Sequence, residues 1–419
     1  MALLRLRATA ATGSIVALAG WLGVSTPIAA ASANVASTSN GSRLDAFQDG
    51  QPPPQPAPSD DLANRAAIAR ASGRLDDALA LYRKAVAARP DWDEGRWYAA
   101  TLLYELDRYA EAKEAFADVL RREPAHAGAL GLKGLCEFEL RQYDAALTDL
   151  MQARKMGVGR SPGIATVVRY HAAILLTRVG EFEVANEILI EFVVDGADTP
   201  QVIEAFGLNV LRMPMLPSEF PADARERVLL AGRAGYAMAA RRVDAAGAAL
   251  DELVTRYPKT PHVHYTRGVL FLTEDPDRAL EEFQRELEIS PSHVPARLQI
   301  AFEFLKRGEP ARALPVAIEA ARMAPDHFAA RLALGQVRLE TQDVQLAIPE
   351  LEKAAALAPG SPQTHFMLAR AYARAGRQAD AERERAEFTR LDQVVRAMRQ
   401  GLQSIGGIPT AGPGVDRPR

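Results

Sequence analysis

The chain has 419 residues, 48% of them hydrophobic and only 6% aromatic, which is enough to bury a large core. Its 50 basic and 53 acidic residues give a formal charge of −3 and are interspersed, which excludes the basic stripe that nucleic acid binding needs. A single cysteine, Cys136, excludes an intrachain disulfide framework.

In chain order, Arg5 and Arg7 precede an apolar run from Gly13 to Val24, and the small residues Ala29-Ala30-Ala31-Ser32-Ala33 follow. This reads as an export signal over residues 1–33, cut after Ala31 or Ala33, and predicts a periplasmic or secreted protein. An uncleaved membrane anchor is the alternative. Leu18-Ala19-Gly20 begins like a lipoprotein box, but Trp21 stands where acylation needs a cysteine, so no lipid anchor is expected. Residues 34–58 end in Gln51-Pro52-Pro53-Pro54-Gln55-Pro56-Ala57-Pro58 and read as a disordered, Pro-rich linker.

From there a ladder begins. Alanines recur at Ala78, Ala112, Ala146, Ala185, Ala246, Ala279, Ala313, Ala347 and Ala381, in steps of 34, 34, 39, 61, 33, 34, 34 and 34 residues. Twelve residues before each stands another small residue: Ala66, Ala100, Gly134, Ala173, Ala234, Gly268 (eleven before), Ala301, Gly335 and Ala369. Small positions in two successive helices let them approach closely. Turns such as Ser72-Gly73-Arg74 and Arg307-Gly308-Glu309 separate the two helices, and Pro90, Pro124, Pro258, Pro291, Pro325 and Pro359 stop the second. The predicted class is all-α, built of stacked helix-turn-helix units.

Two breaks interrupt the period, at 157–163 and at 213–221. Repeats are therefore expected over 59–195 and 227–402, with a truncated repeat and Pro-rich connector at 196–226 between them. Phe388, Leu391, Val395, Met398 and Leu402 share one face of a predicted capping helix that starts near Gln378. Residues 403–419 read as a disordered tail.

Catalytic motifs fail on inspection. Gly159-Arg160-Ser161-Pro162-Gly163 matches G-x-S-x-G, but Pro162 has no N–H to offer an oxyanion. His262 and His264 form an H-x-H pair for which no further ligand is visible nearby in the sequence. His126, His293 and His327 follow terminal prolines and are expected to cap the next helix, while Cys136 reads as a core residue. No enzyme activity, cofactor, metal or catalytic residue is predicted.

The ladder resembles the tetratricopeptide repeat family over roughly 59–392. Gly134, Tyr143, Ala146, Leu150 and Ala153 follow its signature well, whereas Arg96, Arg169, Arg297 and Arg331 replace its large residue at position 4. The resemblance implies a right-handed superhelical solenoid of about nine repeats, with first helices lining a concave groove. Carried onto this chain, the groove positions are Trp97, Tyr104, Phe138, Tyr170, Tyr265, Leu298, Phe302 and Phe366. Such a surface suits an extended or helical peptide. The Lys/Asn clamp of the family's chaperone-tail binders is missing. The expected function is a non-catalytic scaffold for a protein or peptide partner. The alternatives are an assembly factor or chaperone for envelope or secretion machinery and, less favoured, a non-catalytic subunit of an enzyme complex.

Overall fold

The computed structural model describes residues 61–158 and 162–405. The expected signal segment, the linker, Ser161 and residues 406–419 lie outside the described residues. Among the described residues there are helices and no strand, as an all-α repeat requires. The chain divides into two compact units between Pro258 and Lys259.

In the first unit, α1 (Asp61–Ala71) pairs with α2 (Leu75–Ala88), and α3 (Asp93–Glu105) with α4 (Tyr109–Arg122). Then come α5 (Ala127–Glu139) with α6 (Tyr143–Met156), and α7 (Pro162–Arg178) with α8 (Phe182–Val194). A lone helix α9 (Pro200–Val210) precedes α10 (Arg225–Ala239) and α11 (Val243–Arg256). In the second unit, α12 (Val263–Phe271) pairs with α13 (Pro276–Ile289), and α14 (Val294–Lys306) with α15 (Pro310–Met323). Next are α16 (Phe328–Glu340) with α17 (Val344–Leu357), and α18 (Pro362–Arg374) with the long α19 (Gln378–Ile405). Within each unit every helix packs on the one before and the one after.

The two rails of small residues are the contact between paired helices. All nine ladder alanines are at most 1% exposed. Where the earlier rail is glycine, the reason is visible. A Cβ on Gly268 would meet the Phe283 ring at 2.5 Å, and one on Gly335 would meet Leu351 at 2.6 Å. The residue four places after the ladder alanine thus leans onto the small residue of the partner helix. Ala313 is fully buried in this contact. Ala313→Leu is expected to cost about 1–3 kcal/mol by overpacking, measured as a lower urea midpoint; an unchanged midpoint would show the register to be wrong.

The turn inside seven of the pairs is a Schellman cap. Gly73 N–H donates to Arg70 O and Arg74 N–H to Ala69 O, and the same pair of bonds recurs at Asp107, Arg141, Gly180, Arg241, Gly308 and Gly376. Each of these residues has positive φ. The second helices end two residues before the terminal prolines, as at Ala88 before Pro90 and Met323 before Pro325.

The expected connector at 213–221 does not divide the units. Helix α9 packs instead directly on α10, and Leu216 from the loop is buried in the core of the first unit. The loop is tied down: Leu216 N–H donates to Glu219 Oε2 at 2.8 Å. Its one fully buried apolar side chain therefore serves the core. At the other end, α19 packs on α18 with Ala381 and Leu391 buried and Phe388 5.5 Å from Phe366. The side chains of Met398 and Leu402 lie outside those described.

Candidate functional site

First helices of successive pairs touch in the first unit, α3 on α5, α5 on α7 and α7 on α9. Their side chains join neighbouring repeats. The Trp97 ring stacks on His126 at 4.6 Å and leans on Phe116 at 5.7 Å. His126 is itself fixed, because its Nδ1 accepts the Ala129 N–H at 3.0 Å and so caps α5. One repeat on, Phe138 meets His171 edge-on at 4.6 Å, and Tyr170 lies 5.3 Å from the same imidazole. His171 is positioned by the Val167 carbonyl at 2.8 Å. Burial, then the nearby Glu204 charge, raises the Tyr170 phenol above its ordinary range, so it stays a neutral hydroxyl. Trp97, Phe138 and Tyr170 are each half-buried.

Two of the expected groove residues are corrected. Tyr104 is 7% exposed and packs edge-on against Tyr109, and Leu298 is 5% exposed in the core of the second unit. Helical position alone puts them on the first helix, but neighbouring helices cover them. Tyr265 and Phe302 are half-buried in the second unit, with Tyr265 lying between Phe283 at 5.8 Å and His293 at 4.8 Å. Phe366 is 43% exposed and lines a shallow depression with Arg370, Arg374 and Arg385.

Three of the four arginines at position 4 turn inward onto carboxylates. Arg96 Nε donates to Asp118 at 3.1 Å, Arg169 pairs with Asp195 at 2.6 Å, and Arg331 pairs with Glu350 at 2.7 Å. Each partner belongs to the second helix of the same pair or to the residue that ends it. A guanidinium–carboxylate bond there takes the place of an apolar contact, and the aliphatic stem still packs. The Arg169 guanidinium also lies 4.9 Å over the Phe192 ring.

Cys136 is fully buried, and burial followed by the Glu137 charge pushes its thiol up to about 12. A thiol so far from ionisation is a packing residue, as its place in an apolar helix predicts. His126 and His293 cap α5 and α14 through Nδ1 as expected, whereas His327 makes no side-chain cap bond. The H-x-H pair differs from its reading. His264 is buried against Glu282 at 2.7 Å, with Arg267 and Arg285 on the same carboxylate. His262 faces Glu286 and His293, which sequence reasoning did not bring near it.

These paired helices, small-residue rails and Schellman turns coincide with a family model described as tetratricopeptide repeat, which matches residues 99–155, 232–294 and 298–362. Those three regions are tetratricopeptide repeats. Solved structures similar to it include a MamA RS-1 ArsTM double mutant, 21% identical over 40% of this chain and 96% of that one, with a TM-score of 0.37. MamA AMB-1 is 23% identical over 37% and 92%, with a TM-score of 0.33. A crystal structure of MamA protein is 16% identical over 39% and 91%, with a TM-score of 0.36. No curated protein matches the sequence. Tetratricopeptide repeats stack two-helix units into extended surfaces suited to protein partners. Among the described residues, no helix is long and apolar enough to cross a membrane.

Proposed function

We propose that this tetratricopeptide-repeat protein is an exported, non-catalytic scaffold that binds a peptide segment of a partner protein along the first helices of its first unit. The observation that carries the reading is the run of half-buried rings on consecutive first helices: Trp97 on α3, Phe138 on α5 and Tyr170 on α7. Each ring is held by an imidazole that is itself fixed, so little side-chain entropy remains to be lost on binding. Rigid aromatic anchors are the side chains that dominate binding energy in protein interfaces. Export is supported by the basic, apolar and small-residue order of residues 1–33.

The test is capture from an envelope fraction by the wild-type chain and by a Trp97→Ala, Phe138→Ala, Tyr170→Ala triple variant. Tyr104 is kept intact because its loss would open a cavity in the core. The wild type is expected to retain one defined partner at least about tenfold better, a loss typical of hot-spot truncation, with helical circular dichroism unchanged. Equal recovery on both would move binding off this face. Retention of many unfolded clients in place of one partner would point to a chaperone.

A further inference from the structure

We propose that the second unit binds one transition-metal ion of the zinc class through His262, Glu286 and His293. The three residues come from the turn before α12, from α13 and from the turn before α14, so the ion would clip together two successive repeats. One ligand atom from each lies within 4.8 Å of the others. His262 Nδ1 and His293 Nε2 face each other at 2.9 Å. Tetrahedral zinc with bonds of ~2.0–2.1 Å separates its ligand atoms by ~3.3 Å, so small side-chain shifts seat the ion. Two imidazoles and a carboxylate form a nitrogen and oxygen set that suits zinc, and a water completes the fourth position.

The surroundings are built to hold this arrangement. The Glu286 carboxylate is completely buried. Its oxygens accept the backbone N–H groups of His262 at 2.8 Å and Tyr265 at 3.2 Å. Each oxygen keeps a second lone pair, and the two bonds orient the carboxylate as outer partners orient metal ligands. The Tyr265 ring lies 4.8 Å from the His293 ring and packs it in place. His262 has φ +70°, a left-handed conformation that histidine adopts more readily than most residues other than glycine. That conformation turns its N–H to Glu286, and its half-buried ring leaves a route for an ion to enter.

One bond changes on loading. His293 Nδ1 now accepts the Ala296 N–H at 3.0 Å, which places the ring proton on Nε2. Coordination through Nε2 moves that proton to Nδ1, so the metal bond replaces the cap. His264, two residues along, takes no part, because it is committed to Glu282.

The test uses the untagged full chain, stripped with chelator and titrated with Zn(II) by calorimetry and with Co(II) by visible absorption. One equivalent is expected to bind, to raise the melting temperature, and to give the strong visible bands of tetrahedral Co(II). His262→Asn removes a ligand with a residue that tolerates the left-handed backbone. It is expected to weaken binding at least tenfold at unchanged helicity, whereas His327→Gln leaves binding intact. Failure of the wild type to bind Zn(II) at micromolar concentration, or equal affinity in His262→Asn, would overturn the assignment.

Discussion

Gly207→Ala and Gly232→Ala are each expected to destabilise the chain by about 3 kcal/mol, the upper part of the range for overpacking. A Cβ on Gly207 would stand 2.0 Å from the Val228 carbonyl oxygen, and one on Gly232 would stand 1.9 Å from the Ile203 carbonyl oxygen. Both clashes are with backbone, so no rotamer change relieves them. The geometry is reciprocal: Gly207 follows Ile203 by four residues, and Gly232 follows Val228 by four. Helices α9 and α10 therefore have to separate by more than an ångström along a shared face, which also loosens Phe206 against Tyr236, now 5.7 Å apart. Gly73→Ala is the comparison. Gly73 also has positive φ, but a Cβ there would meet nothing within 4 Å. It is expected to cost only ~1 kcal/mol, from backbone strain alone. Urea unfolding of the three variants checks the order, and a Gly207→Ala chain as stable as the wild type would refute the close packing of α9 on α10.

Phe116→Ala is expected to cost about 3–5 kcal/mol, the usual loss for deleting a fully buried ring. Phe116 has no exposed surface and stands four residues after Ala112, where α4 fills the space against the first helices. It is also the floor under Trp97, 5.7 Å away. Its removal should therefore be read twice: as a lower midpoint of unfolding, and as a red shift of tryptophan emission at temperatures where the helices persist. Partner capture should fall with it, because Trp97 loses one of the two rings that hold it. A variant with lowered stability and undiminished capture would separate the core of this repeat from the binding face.

The repeat itself was legible because its causes are local. Gly73, Gly180, Gly308 and Gly376 mark the left-handed caps, Pro90 to Pro359 mark the helix ends, and the small residues mark the contacts. Each of those signals acts within one helix pair, and the period repeats it. The unit boundary was less legible. The prolines of 213–221 read as a divider, yet Gly207 and Gly232 bring α9 and α10 together across that loop. Nothing within a window of sequence says which glycine faces which carbonyl. The site was legible only in part for the same reason. Trp97, Phe138 and Tyr170 stay half-buried while Tyr104 and Leu298, also on first helices, are covered by neighbours.

The sequence by itself determined an all-helical repeat with its turns, stops and small-residue contacts, since period and propensity act over a few residues. Only the tertiary structure decided which aromatic residues stay half-buried, where Arg96, Arg169 and Arg331 find their carboxylates, and that His262 meets Glu286 and His293. Those outcomes depend on side chains that lie about 20 to 30 residues apart in the chain and within a few ångströms in space, a distance set by helix packing.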